Sequence, residues 1–457
     1  MTGRILRIEL RRTAALWAAA ISLPLTALAG SVGGQGMAIV VGDARTELAF
    51  LLALALGVGA SQARRDRRSR TSELLATTAR PQWQRLLHTA VALGIGAVAG
   101  LLGVFGGLAV YGLVVGTYVP VTVAAAVVVM ALYLAAAVWL GAACGRVVSS
   151  RLVPPLIVVF GLVAIVYVAL LTDPEGRTDG RYPATFLLNP SSGEGFDAFE
   201  TLTGRAQLAQ VAWAVALAVA CLVLCVATRY ARLSAVVPVV VGLAVAGLLL
   251  PRYLHEAVTV DRGAIALECT PDEPRVCVRR VHARVLDQLR EPGQEALAIM
   301  SAKLPQAPTT VVETYLANDS DLQPPEPRAD TLYAQLIPGV SGRVRETESD
   351  LLWTLLMGAG TLICPDTPPA AATSGRYTTA RLIAAAWLLE EEPLAPSAVD
   401  DYWGWLPPTS VTGPAYEALL ALPADEQRAR VAALRQAELD CDDGDRLDIL
   451  VGDRSAS

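Results

Sequence analysis

The sequence predicts an α-helical polytopic membrane protein with about seven transmembrane helices, followed by a mostly helical α+β soluble domain. Three observations carry that prediction. The chain is 457 residues long and 53% hydrophobic, with a mean hydropathy of +0.45. Seven runs approach the ~17–25 apolar residues that cross a bilayer. Charge also divides along the chain. Residues 1–251 hold 19 Arg against 11 Asp and Glu, a balance of +8, and residues 252–457 carry −14. A basic, apolar half before an acidic, polar half reads as a membrane domain, 1–251, with an appended soluble domain, 252–457.

The seven runs are roughly 13–30, 46–61, 87–116, 121–144, 152–171, 208–227 and 235–251. The second and last are short, and the third is long enough to tilt or to break at its glycines. The stretch before the first run, MTGRILRIELRR, reads as an amphipathic lead-in, with Ile5, Leu6, Ile8 and Leu10 along the interface and Arg7, Arg11 and Arg12 toward head groups. Ala27-Leu28-Ala29 resembles a signal cleavage site, but the reading favours an uncleaved first helix.

Arginine placement orients the chain. With the N-terminus inside and all seven runs spanning, the inside segments hold fifteen Arg: four from Arg4 to Arg12, seven from Arg64 to Arg85, then Arg146, Arg151, Arg229 and Arg232. The outside loops before residue 252 hold Arg45, Arg177, Arg181 and Arg205. An odd number of spans then puts 252–457 outside, whereas a seventh run that does not span would put it inside.

Cysteine usage agrees with an outside domain. Cys144, Cys221 and Cys225 fall in apolar runs and read as small apolar side chains. Cys269, Cys277, Cys364 and Cys441 lie in the polar half, an even number that suits disulfides in an oxidising compartment and allows three connectivities. Cys269 and Cys277 flank a PDEP turn, so a stapled β-hairpin is expected, and Cys364–Cys441 would follow by elimination. Four reduced thiols are the competing reading. Residues 258–280 alternate like strands, 281–304 and 424–439 have helical spacing, and 379–392 is an apolar helix candidate. Pro-rich loops separate these pieces.

The densest charge in the membrane half is RRDRRSRTSELLATTARPQWQRLL, residues 64–87. Thr71 or Ser72 caps a short helix with Glu73 in its first turn, the favourable end for an anion. Leu74, Leu75 and Thr78 share one face, and the residue before Pro81 avoids the α region, so the helix ends near Ala79–Arg80. Pro81 then starts the next helix, with Trp83 at the interface. On physics alone a solvated positive-inside loop explains the segment equally well.

This loop resembles the cytoplasmic loop of ABC-2-type transporter permeases, in which an acidic-arginine start leads to Gly-Thr-x-Glu-x-Leu-Leu-x-Thr-Pro. Asp66 and Arg67 stand at the start, Thr71 and Glu73 hold the Thr-x-Glu, and Leu74, Leu75 and Thr77 follow. FLLNPS, 186–191, is similar to the Asn-Pro turn before the sixth helix of those permeases. Arg70 stands where the family has glycine and Thr78 where it has proline, and a seventh run and a large domain follow the usual last span. The resemblance covers about residues 1–230. It implies a bacterial plasma-membrane protein, the subunit of an ATP-driven exporter, working as a homodimer or heterodimer of permeases. It also implies that a cytoplasmic ABC ATPase grips the loop at Thr71, Glu73, Leu74, Leu75, Thr77 and Arg80, a helix-in-groove contact.

Other functions find less in the residues. The run interiors hold almost no ionisable group, Glu47 and His88 lying at run ends, which disfavours ion-gradient coupling. The lone lysine, Lys303, follows Ala302 and belongs to no phosphate-binding Gly-Lys-Ser/Thr loop. No catalytic residue, metal site, cofactor or nucleic-acid partner is expected. His282, among arginines, reads as a solvated helix face. The acidic run from Asp440 to Asp448 reads as a solvated tail rather than a calcium loop. Tyr402, Trp403 and Trp405 read as core aromatics. The alternative to a transport subunit is a membrane-anchored receptor or scaffold whose outside domain binds a ligand or partner; a membrane enzyme ranks below both.

Overall fold

A computed structural model describes residues 37–68, 82–114, 118–148, 150–172, 183–191, 198–227, 230–314, 327–336, 344, 347–364, 375–393, 409–442 and 444–452. The chain divides into two compact units, the first running to Asp261 and the second starting at Arg262. Residues 252–261 belong to the first unit, where Val258–Val260 pairs with Glu200–Leu202.

Among the described residues the first unit has six α-helices: α1 (Met37–Arg68), α2 (Gln82–Val114), α3 (Thr122–Val147), α4 (Val153–Thr172), α5 (Gly204–Val226) and α6 (Val236–Leu249). Five stretches among the described residues are long and apolar enough to cross a bilayer: Ala44–Arg64, Leu86–Val110, Thr122–Val147, Gly204–Val226 and Ala231–Leu249. In the fifth apolar run, α4 contains a shorter apolar stretch, Val153–Val168. The run at 13–30 lies outside the described residues. Five span-length helices are therefore observed where about seven are expected.

Sequence chemistry explains these elements. Helix α3 is Ala-, Val- and Leu-rich for 26 residues, about 39 Å at 1.5 Å per residue and enough for a ~30 Å hydrocarbon core. Pro154 and Pro155 fall in the first turn of α4, where a missing N–H costs little. Thr203 caps α5 by accepting from Ala206 N–H at 3.4 Å.

Helix α3 is the hub, packing against α1, α2, α5 and α4. Its approach to α1 is backbone on backbone. A Cβ at Gly141 would lie 2.0 Å from the Leu56 carbonyl oxygen, and one at Gly59 would lie 2.1 Å from that of Val138. Such crossings suit an apolar solvent, where close van der Waals packing rather than water exclusion drives helix association.

The helices alternate, and polar contacts fix which ends lie together. At one end Arg64 Nη1 donates to the Arg151 carbonyl at 3.0 Å, and Arg146 donates to the Cys225 carbonyl near the end of α5. At the other end, β1 (Glu200–Leu202) pairs antiparallel with β2 (Val258–Val260), with Glu200 opposite Val260. Thr203 N–H donates to Ala257 O at 2.8 Å and Asp261 N–H to Phe199 O at 2.9 Å. The Tyr118 hydroxyl meets the Asp261 carboxylate at 3.0 Å. After α6 the chain is therefore back at the end where α1, α3 and α5 begin.

The second unit holds a four-stranded sheet in the order β3 (Leu267–Cys269), β4 (Arg275–Arg279), β5 (Thr310–Thr314), β6 (Thr331–Gln335). Strands β3 and β4 form the antiparallel hairpin expected from PDEP, while β4, β5 and β6 run parallel. Parallel neighbours need a crossover, and α7 (Leu286–Lys303) provides it between β4 and β5. The strand-like alternation of 258–280 holds β2, β3 and β4, and β5 and β6 add two strands beyond it. Among the described residues, helices α8 (Glu348–Leu356), α9 (Gly375–Leu389), α10 (Thr409–Leu420), α11 (Ala424–Leu439) and α12 (Arg446–Val451) follow. Its core includes Leu289, Met300, Val311, Leu332, Leu356, Ile383, Leu419 and Leu434.

Disulfides join Cys269 to Cys277 and Cys364 to Cys441. The first pair are cross-strand partners with Cα atoms 4.0 Å apart, and the second closes a sequence separation of 77. Cys144, Cys221 and Cys225 are free thiols within the helical bundle.

Replacing Gly141 with Val is expected to cost on the order of 1–3 kcal/mol or more in detergent unfolding, because the new side chain meets backbone. Gly103→Ala should cost nothing, since a Cβ there meets nothing within 4 Å. Equal effects from the two variants would refute the tight α1–α3 crossing.

Candidate functional site

The expected coupling residues Thr71, Glu73, Leu74, Leu75, Thr77 and Arg80 lie outside the described residues, as do Trp403 and Trp405. The flanking helices are described. Helix α1 ends at Arg68 and α2 starts at Gln82, so segment 69–81 joins them at the arginine-rich end.

The site that emerges lies at the opposite, β1–β2 end. Arg45, Glu200 and Gln210 are buried to 3%, 2% and 2% exposure. They line one cavity of about 60 Å³ together with Thr122 and Gln207, large enough to admit water. Three helix starts converge there. Arg45 comes from α1, Thr122 from the first residue of α3, and Gln207 and Gln210 from the first turns of α5. Glu200 descends from β1. A buried guanidinium, a buried carboxylate and two amides thus supply both donors and acceptors around water-sized space. Taking an isolated charge out of water costs many kcal/mol, so a cavity that brings a guanidinium and a carboxylate to the same buried space is an uncommon arrangement.

Arg45 corrects an expectation. The arginine pattern expects it in an outside loop, but α1 starts at Met37 and carries Arg45 inside the bundle. The polar string GDARTE interrupts the apolar run without interrupting the helix. An intramembrane charge facing a cavity is a functional-site signal, here hidden by a hydropathy window that began one residue later.

Gln210 also holds the 183–191 segment. Gln210 Nε2 donates to Leu187 O at 2.9 Å and the Tyr133 hydroxyl to Leu188 O at 3.0 Å. The Asn189 side-chain oxygen accepts from Ser191 N–H at 3.1 Å and Ser191 Oγ at 3.0 Å, an Asx turn. FLLNPS is therefore a defined turn seated on α3 and α5. Gln207 Nε2 reaches Leu202 O at 3.1 Å, tying α5 to β1.

Within the second unit two buried carboxylates organise the polar contacts. Glu438 on α11 accepts from Arg381 at 3.1 Å, Arg446 at 3.0 Å and Tyr377 at 2.9 Å. Arg435 donates to the carbonyls of Ala359 at 2.7 Å and Ala329 at 2.9 Å, and burial pushes its pKa down to about 10. Glu313 on β5 is fully buried and hydrogen-bonds His282 and, at 2.6 Å, Arg279 N–H. His282 is thus buried, not on a solvated face. It sits in a short turn where its φ of −109° departs from helical values and directs it to Glu313. The acidic run is likewise engaged. Asp445 and Asp448 each pair with Arg376 at 2.7 Å. Desolvation raises the Asp445 pKa, but the Arg376 and Leu447 N–H hydrogen bonds outweigh it and hold the carboxyl below its usual range. Among the described residues no group of three or more His, Cys, Asp or Glu is arranged to hold a metal ion.

No protein-family model matches this sequence, and no curated protein shows significant similarity to it.

Because Arg45 and Glu200 share a cavity, Arg45→Met and Glu200→Gln should not act independently. Each alone is expected to lower stability in detergent by roughly 3–5 kcal/mol. The double variant should recover about 1–3 kcal/mol of their sum. Additive effects in a denaturation cycle would show that the two do not interact.

Proposed function

We propose that the chain is the membrane-spanning subunit of an ABC-type transporter, an exporter energised by a separate cytoplasmic ATPase through the 71–80 loop. The observation that carries this reading is the FLLNPS turn. It is held by Tyr133 of α3 and Gln210 of α5, and the next helix in the chain is membrane-length. That is where the resemblance to ABC-2-type permeases expects an Asn-Pro turn.

Further support comes from segment 69–81, which joins two long apolar helices at the end rich in arginine. In this reading that end is cytoplasmic, and Leu74 and Leu75 enter a groove on the ATPase while Glu73 pairs with a basic residue at its rim. The β1–β2 end, with the buried Arg45 and Glu200, faces outward, and the second unit follows it into the oxidising compartment where its disulfides form. Seven spans, counting 13–30 and α4, complete this arrangement. Two permease copies, identical or different, enclose the pathway.

One observation favours the receptor or scaffold reading. The second unit has its own core and two disulfides, the build of an independent binding domain. Co-purification separates the two. Intact protein extracted in mild detergent is expected to bring with it a nucleotide-binding ATPase, identified by mass spectrometry. The variant carrying Glu73→Arg and Leu74→Asp should lose it. An ATPase retained by that variant, or absent from both samples, would contradict the coupling role of the loop.

A further inference from the structure

A second, larger concavity lies beside the Arg45 pocket at the β1–β2 end of the first unit. It measures about 960 Å³ and lies between the start of α5 and the end of α6, the upper end of the range for small-molecule sites. Its walls divide by polarity. Leu208, Leu248 and Leu249 supply an apolar side, and Leu208 and Leu248 are 61% and 86% exposed. Thr203, Arg205 and Glu256 supply a polar rim. Arg205 and Glu256 are both exposed, and neither enters an ion pair among the described residues.

The rim has opposite charges where the helices leave the apolar zone. Gly204 and Arg205 are the first two residues of α5, whose leading N–H groups have no acceptor within the helix. Together with the Arg205 guanidinium they suit a phosphate. A Cβ at Gly204 would meet nothing within 4 Å, so the approach to that terminus is open. Glu256, on the turn after α6, suits an ammonium. Below both lies an aliphatic wall that faces hydrocarbon when the bundle sits in a membrane. An aliphatic wall beside a rim of both charges suits an amphiphile with a zwitterionic head, and a purely anionic lipid would leave Glu256 opposed by like charge.

We propose that this cleft binds the head of one zwitterionic aminophospholipid of the bilayer, phosphate toward Arg205 and the start of α5, amine toward Glu256, acyl chains along Leu208 and Leu248. The proposal requires membrane insertion but not the transport reading.

The test uses the full chain in nanodiscs of phosphatidylcholine containing a minor fraction of phosphatidylethanolamine with a photoactivatable acyl chain. Crosslinked residues are mapped by mass spectrometry. Crosslinks should concentrate on the first turns of α5 and the last turn of α6. Unlabelled phosphatidylethanolamine should compete better than phosphatidylglycerol or phosphatidylcholine. Arg205→Glu should reduce site-specific crosslinking about tenfold, the loss expected for a charge-assisted contact. Ala125→Trp, which pushes a large ring into the cleft from α3 and removes neither charge, should also reduce it. Arg252→Glu, an exposed arginine outside the cleft, should leave it unchanged and controls for folding. Crosslinks spread evenly over the lipid-facing helices, or indifferent to Arg205→Glu and Ala125→Trp, would overturn the site. Equal or better competition by phosphatidylglycerol would overturn the zwitterionic assignment.

Discussion

Inside a bilayer no water is available to satisfy polar groups, so every buried charge and loose backbone end must find a partner within the protein. The β1–β2 end of the helical unit is organised by that constraint. Arg45, Glu200 and Gln210 are buried among helices that are otherwise Ala, Val, Leu and Gly. Their cavity is where the starts of α1, α3 and α5 meet the strand that enters α5. Remove that convergence and the FLLNPS turn loses its seat on α5. The strand carrying Glu200 would lose its anchor, and the exit path after α6 would lose the strand it pairs with. At the opposite end Arg64 and Arg146 satisfy loop and helix-terminal carbonyls instead. Close glycine contacts between α1 and α3 hold the middle, and Tyr133, midway along α3, adds a polar tie to the Leu188 carbonyl.

The second unit meets the same constraint in water. Its core is large enough to bury Glu438 and Glu313 completely, and each carboxylate is surrounded by donors from several elements. Glu438 gathers α9, α11 and α12, and the Cys364–Cys441 disulfide closes the same corner. Glu313 ties β5 to the turn after β4. Such buried pairs are weak sources of net stability, but breaking one leaves an expensive orphan charge. They specify which helix packs where, while the aliphatic core drives folding.

Much of this was legible in the residues, and the exceptions share a cause. Uninterrupted apolar runs such as that of α3 announce a membrane helix with nothing to contradict them. Helix α11 carries clear periodicity, and Cys269 and Cys277 flank a turn whose register makes them partners. Where local composition and tertiary setting disagree, the reading fails. GDARTE looks like a loop because charge normally means water, yet the fold supplies Arg45 with a polar pocket. His282 looks solvated among its arginine neighbours until Glu313, thirty-one residues away, is brought beneath it. Strands β5 and β6 are five residues each and marked only by their β-branched and aromatic content. Gly141 and Gly145, four residues apart in α3, are a visible small-residue signal of close helix contact that hydropathy does not weigh. Within the proposed coupling loop, only the flanking helix ends are described.

The account rests on segment 69–81 and the second unit lying on opposite sides of one membrane. Accessibility to a membrane-impermeant maleimide tests this most directly, in intact cells expressing protein with Cys144, Cys221 and Cys225 replaced by Ala. Single cysteines are introduced as Ser72→Cys or Glu291→Cys. The account predicts that Glu291→Cys labels in intact cells, whereas Ser72→Cys labels only after the membrane is permeabilised. Labelling of both, or of neither, before permeabilisation would place the two on the same side and contradict it.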